Sequence, residues 1–446
     1  MRTFNPFEEK PLPIEKLFMD WNQMNPRPYN KETVHPYTKC RIVLMNGTEF
    51  ESQWFTHQFS RHCDQLKLRQ KLALLRRSEQ QQQKRISCLK PRNESILEHT
   101  ISYEQLAVDL TAALAMQESD CNVKNALNFA LLEDFDHLYR YSNLLDYEYG
   151  ISPEKLVGGY TEITPARPTI SEHRYPTDSI FPYAPKKAST LTKMNINIIT
   201  AAEQQTMNFY MNVANLYQKS DVGRRLYQEI GMIEEEHVSQ YESLKYPNAT
   251  WLENLLLQEY TECYLYYSCM ETECDPRIKK IWEECLCQEI THLHIAKDLL
   301  AECECTPWEK VIPCGTFPKP LCLHSNIEYV RELIRTTTGN TQYEDCVVPL
   351  MQLPQSNRFY FYQNVVNHDL NCVASHNVID NRISCNGIDY RAEKTANPLM
   401  VLRNRRVDNT CLARSVPATP METQVCGTTE GNCRCKITLD HQTTTF

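Results

Sequence analysis

One spacing constrains this chain more than any other feature. A glutamate is followed about thirty residues later by an acid, and three residues after that by a histidine. The pattern occurs three times: Glu104 with Asp134 and His137, Glu203 with Glu234 and His237, and Glu259 with Glu289 and His292. The intervals from glutamate to second acid are 30, 31 and 30 residues. A near-constant period of this length reads as repetition of one helix–turn–helix unit. Residues three apart on a helix share a face, so acid and imidazole project together. A glutamate on the antiparallel neighbour meets them at the same height.

These acids sit where a surface charge should not. The seam around Glu203 reads Ile199, Glu203, Thr206, Tyr210, Val213, and that around Glu234 reads Ile230, Glu234, His237, Tyr241, Leu244. Around Glu259 it reads Leu252, Leu256, Glu259, Cys263, Tyr266, and around Glu289 it reads Trp282, Cys285, Glu289, His292, Ala296. Each acid falls on an apolar stripe and should be buried. A buried, unpaired carboxylate costs several kcal/mol or stays protonated, so it calls for a counter-charge. Two facing hairpins supply four carboxylates and two imidazoles, enough for two metal ions. Such ligands suit iron or manganese, with zinc also compatible.

Glu203, Glu234, His237, Glu259, Glu289 and His292 are therefore the leading ligand candidates. Glu104, Asp134 and His137 form either another ligand set, with Asp replacing Glu, or a depleted copy in which Asp134 and His137 pair. Glu262, one turn beyond Glu259, is a further ligand candidate or the exposed partner of a base. Glu235, Glu236, Glu283 and Glu284 are expected to face solvent. Cys263 lies four residues after Glu259 and Cys285 four before Glu289, which on antiparallel helices places the two thiols in one layer. They read as an electron-passing pair or as two small core residues.

Composition narrows the rest. Only 11 of 446 residues are glycine, which argues for long helices over a turn-rich β protein. The net charge of −9 is spread out, with no basic stripe for nucleic acid. No run of 18 apolar residues exists, so no transmembrane helix is expected. Met1 to Lys10 lack the basic start and apolar stretch of a secretory signal, which leads to the expectation of a cytoplasmic protein. Most of the 20 cysteines should then be thiols. Cys-x-x-Cys is absent. Cys-x-Cys occurs at Cys285/Cys287, Cys303/Cys305 and Cys433/Cys435, a weak metal or disulfide signal.

Three regions follow. Residues 1–95 read as an irregular segment, a β-hairpin (Arg41 to Met45, a turn at Asn46-Gly47, Thr48 to Glu51) and a polar helix over about 52–86. Residues 96–303 carry helical hairpins at 98–147, 196–245 and 250–301. A proline-rich crossover, 148–194, separates the first two and contains the polar run Glu172-His-Arg-Tyr-Pro176. Residues 304–446 are Cys-rich and mostly irregular, with one helix near Asn326 to Arg335. The tail 303–446 holds 11 cysteines, an odd number, which cannot all pair internally.

The motifs resemble the ferritin-like superfamily, and rubrerythrin within it. Gln258-Glu-Tyr-Thr-Glu262 is similar to a rubrerythrin helix bearing two glutamates three apart. Ile233-Glu-Glu-Glu-His237 and Gln288-Glu-Ile-Thr-His292 are similar to its two Glu-x-x-His helices. The resemblance covers about 196–301 and, more loosely, 98–147. It implies an all-α, ferritin-like antiparallel bundle, here with an extra hairpin, and a di-iron site acting on peroxide or oxygen. The chain lacks rubrerythrin's paired Cys-x-x-Cys iron domain. The joint between the last two hairpins is also too short for the family's usual crossover: five or six residues span at most about 20 Å, whereas a 22-residue helix is about 33 Å long.

Two pairings compete. Either hairpins 196–245 and 250–301 face each other as antiparallel neighbours, the pairing favoured here, or 98–147 and 196–245 do so across the long linker. A homo-oligomer could also bring hairpins together. The expected activity is that of a non-haem di-iron oxidoreductase with an unidentified electron donor, since no flavin or nicotinamide fingerprint occurs. A manganese catalase, and a metal-storage or structural protein without turnover, are the alternatives.

Overall fold

The structure, a computed structural model, describes residues 4–167, 172–343, 346–389 and 391–408. The protein is all-α. Its helices are α1 (Pro36–Arg61), α2 (Leu66–Ser87), α3 (Ile96–Gln117), α4 (Cys121–Tyr149), α5 (Pro153–Leu156), α6 (Thr190–Leu216), α7 (Asp221–Ser243), α8 (Trp251–Thr272), α9 (Pro276–Glu304), α10 (Ile327–Thr337), α11 (Arg358–Val366) and α12 (Ala374–Asn386). The one sheet among the described residues pairs β1 (Asn340–Tyr343) antiparallel with β2 (Cys346–Pro349), with Asn340 opposite Pro349. No described helix is long and apolar enough to cross a membrane.

Local chemistry sets the helix starts. Ser95 and Glu98 form a reciprocal capping box at α3, and Thr250 and Glu253 form another at α8. Asp120 and Asp275 cap α4 and α9 by accepting two backbone N–H groups each, and Pro276 occupies the first turn of α9. The three hairpins read from the sequence are present as α3–α4, α6–α7 and α8–α9. A fourth, α1–α2, was not expected.

The eight long helices form two groups of four. Hairpin α3–α4 packs on α6–α7, through α3 against α6 and α4 against α7. Hairpin α1–α2 packs on α8–α9, through α1 against α8 and α2 against α9. Helix α1 also packs on α3 and α6, and α6 on α8, which joins the two groups through one continuous apolar core. The C-terminal region contributes α10 and α12, packed on α4, with α12 also on α7.

Two expectations are overturned here. The Ile42-Val43 run before Asn46-Gly47 fits a hairpin template, but it lies inside α1. That helix is buried around most of its circumference, from Tyr37 through Met45 and again at Gly47, Thr48 and Glu49. A helix sunk between two helical groups has no polar face to give it a 3.6-residue period. Gly47 serves close helix approach, since a Cβ there would sit 2.9 Å from Gln205 Cβ on α6. The expected single helix over 52–86 is in fact the end of α1 and the whole of α2.

Gly47 yields a direct test. In an exposed helix Gly→Ala stabilises by about 1 kcal/mol. Here Gly47→Ala is expected to lower Tm, because overpacking costs about 1–3 kcal/mol. A raised Tm would show that α1 and α6 have room to part.

The favoured hairpin pairing is the second correction. The short joint between α7 and α8 limits only how far apart the two helix ends lie. It hands the chain from one group to the other, where the partners of α8 are α9, α1 and α6. The long proline-rich crossover instead joins two hairpins of one group.

Candidate metal centres

The first cluster lies between α3, α4, α6 and α7. Glu104 comes from α3, Asp134 and His137 from α4, Glu203 from α6, and Glu234 and His237 from α7, and all six are buried. Asp134, Glu203, Glu234 and His237 bring ligating atoms within 4.8 Å of one another, and Glu104, His137 and Glu234 do the same. Glu234 belongs to both sets. Its Oε1 lies 2.9 Å from His137 Nδ1 and its Oε2 3.0 Å from His237 Nδ1. His237 Nδ1 is also 3.3 Å from Asp134 Oδ1. Both imidazoles therefore point the same ring nitrogen inward.

The outer nitrogens face acids that the sequence reading did not identify. His237 Nε2 is 2.7 Å from Glu133, and His137 Nε2 is 3.5 Å from Glu172. Each of these acids is held by arginine. Arg140 donates two hydrogen bonds to Glu172, at 2.8 and 2.6 Å. Arg167 donates to Glu133 at 3.0 Å, and Arg174 lies 3.5 Å from it. Glu133 fixes the His237 ring, with its outer N–H donated and its inner lone pair turned to the cluster, and Glu172 faces the outer nitrogen of His137 without a hydrogen bond. Glu172, Arg167 and Arg174 come from the crossover, which docks when Asp136 accepts the backbone N–H groups of Ala166 and Arg167. The polar run at 172–176 was the available signal. Arg140 was legible as the next step of the series 134, 137, 140 on α4.

The inner acids lack such partners. Glu203 has no hydrogen bond to either oxygen, nor do Glu104 Oε2 and Asp134 Oδ1. Glu104 accepts the Tyr210 hydroxyl through its other oxygen. Burial lifts Glu203 to about 7. Burial also lifts Glu104, Asp134 and Glu234 well above the carboxylate range, reinforced by their repulsion of one another. Burial holds His137 down at about 4. The outer acids move the other way: burial would raise Glu133, but Arg174, His237 and Arg167 outweigh it and hold it near 2.

The second cluster lies between α1, α2, α8 and α9. It contains Glu49, Glu79 and Gln82, with Glu259, Glu262, Glu289 and His292, all buried. Glu79, Glu259 and His292 bring ligating atoms within 4.8 Å of one another, as do Glu259, Glu262 and Glu289. Glu289 accepts from Gln82 Nε2 at 2.6 Å and lies 3.2 Å from His292 Nδ1. Tyr266 donates to Glu49 as Tyr210 does to Glu104. Glu49 and Glu79 are 30 residues apart, so α1–α2 is a fourth copy of the spacing, with Gln82 in the histidine position. A search keyed on acid-x-x-His could not find it.

Other expectations resolve as follows. Glu262 is an inward member of the second cluster. Glu236, expected in solvent, is buried and accepts from Arg174 Nε at 3.2 Å. Cys263 and Cys285 are buried, and burial and neighbouring carboxylates hold both thiols up, which favours their role as core residues. Fifteen described cysteines, all but Cys346, are free thiols, and no metal-ligating group among the described residues includes a cysteine. Cys433/Cys435 lie outside the described residues. Comparison of the chain with protein-family models, with curated proteins and with solved structures finds no match, so a functional reading rests on this geometry.

Proposed function

We propose that the α3–α4–α6–α7 cluster holds two transition-metal ions, iron or manganese, and that the protein is a ferritin-like, non-haem oxidoreductase acting on peroxide or oxygen. The observation that carries this reading is the inner cluster itself. Four buried acids and two inward imidazole nitrogens converge, while four acid oxygens lack any hydrogen-bond donor. Two divalent ions would balance the four carboxylates, and the mixed oxygen and nitrogen donors suit iron or manganese.

A redox-active metal pair would supply the electrons and Lewis acidity that such a reaction needs. The chain's own residues would do the rest. Glu234, reached by both histidines and common to both ligand sets, would help hold both ions. Glu203 and Asp134 would complete one side, and Glu104 with His137 the other. Glu133 holds the outer imidazole proton of His237 and Glu172 faces the outer nitrogen of His137, which would leave both inner nitrogens free to ligate. The Tyr210 hydroxyl orients Glu104. Tyr141, Tyr210 and Tyr227 pack ring on ring beside the acids and exclude bulk water. Reductive turnover requires an external electron donor.

The test is elemental analysis with a peroxide-consumption assay on the wild type and on Glu203→Ala/Glu234→Ala. The double variant should lose about two metal ions per chain and the reaction with them. Oxygen release from peroxide without reductant would select a manganese catalase. Metal without turnover would reduce the reading to storage or structure, and metal content unchanged in the variant would sink it.

A further inference from the structure

We propose that the α1–α2–α8–α9 cluster is a second, separate metal centre. Its ligands would be Glu79, Glu259, Glu262, Glu289 and His292, with Glu49 alongside, and it takes hard, oxygen-preferring divalent cations such as manganous or ferrous ion. It goes beyond the first centre, shares no residue with it, and stands or falls by itself.

The argument begins with uncompensated charge. Five glutamates share this buried space, and among the described residues the only ion pairs recorded to any of them come from His292, to Glu259 and Glu289. Six of their oxygens have no hydrogen-bond donor: Glu49 Oε2, both of Glu79, both of Glu259, and Glu262 Oε2. Buried acids that are compensated by the protein carry donors or bases, as Glu133 and Glu172 do with their arginines. Here the unpartnered oxygens face one another instead. That arrangement needs either shared protons or shared cations.

Geometry separates two cation positions. Glu79, Glu259 and His292 bound one, and Glu259, Glu262 and Glu289 bound the other, with Glu259 common to both. Gln82 occupies the position of the second histidine, and its amide nitrogen is committed to Glu289. Glu262 adds an oxygen donor that the first cluster lacks. The donor set is thus five carboxylates and one imidazole, against four and two in the first cluster. More oxygen and less nitrogen shifts preference towards manganous, ferrous or magnesium-like ions and away from zinc. The outer nitrogen of His292 has no hydrogen-bond acceptor, so this ring lacks the support that Glu133 gives His237.

The experiment uses the full chain, stripped with chelator, dialysed and titrated with manganous ion alone. Bound metal is measured by elemental analysis and free ion by electron paramagnetic resonance. Wild type should take up about four ions, and Glu203→Ala/Glu234→Ala about two. Glu79→Gln/Glu259→Gln should lose about two while leaving those of the first centre in place. Failure of the first centre alone would appear as two ions in wild type and no loss in Glu203→Ala/Glu234→Ala. The second centre is overturned if that variant binds none, or if Glu79→Gln/Glu259→Gln binds as wild type does. Gln82→His removes no carboxylate and restores the missing imidazole, which guards against a misfolded variant. It should raise the metal retained after a chelator challenge at least severalfold, and unchanged retention would overturn the proposal.

Discussion

Stripped of metal, the protein is expected to lose stability as pH rises from about 4.5 towards 7. Burial holds Glu203 and Glu79 at about 7 in the folded chain, against 4.5 for an exposed glutamate. A folded-state value above the unfolded one means that folding favours the protonated acid. The contribution is full below about pH 4.5 and lost as pH climbs through about 7, at about 3 kcal/mol per group. Metal reverses the trend, because ligating carboxylates must be ionised and affinity rises with pH. Denaturant midpoints across this range, with and without manganous ion, check the claim. Glu203→Gln should flatten the metal-free profile. A metal-free profile that already rises through this window, unchanged in Glu203→Gln, would show that Glu203 is ionised and compensated without metal.

The second large effect concerns the arginine behind His137. Arg140 and Glu172 are both fully buried and joined by two hydrogen bonds. Arg140→Met leaves Glu172 in a dry site where, among the described residues, the one remaining ion-pair contact is the His137 imidazole 3.5 Å away. Breaking a buried pair from one side costs about 3–5 kcal/mol. Arg140→Met/Glu172→Gln should regain most of that loss, since an amide carries no charge to strand. Metal retention distinguishes this from simple destabilisation. Losing the acid's grip on His137 should weaken the first centre by about 10–100-fold and leave the second unchanged. Equal weakening of both would assign Arg140 a purely structural role.

Much of the candidate site could be read from the sequence. The spacing of Glu203, Glu234 and His237, and of Glu259, Glu289 and His292, identified residues that the structure buries in two clusters. The helix phase sufficed, because i to i+3 geometry is local. The same logic located Glu104, Asp134 and His137 and resolves them as inward-facing members of a full set. Glu49 and Glu79 escaped for a linked pair of reasons. Gln82 removed the histidine from the motif, and α1 carries β-branched residues and Asn46-Gly47, which locally favour a hairpin. Propensity is a weak prior that burial overrides.

What the chain determined locally was the set of helices, their caps, and the acid–imidazole faces, all properties of neighbours within one or two turns. What only tertiary structure decided was which hairpins face each other. It also decided which acids are steadied by arginine and which are left bare. Glu133 and Glu203 are both buried glutamates on long helices, yet burial and surroundings hold one near 2 and the other near 7. The difference is Arg174 and Arg167, brought in from the crossover, together with the hydrogen bond from His237. Charge compensation acts through space, and no spacing along the chain records it.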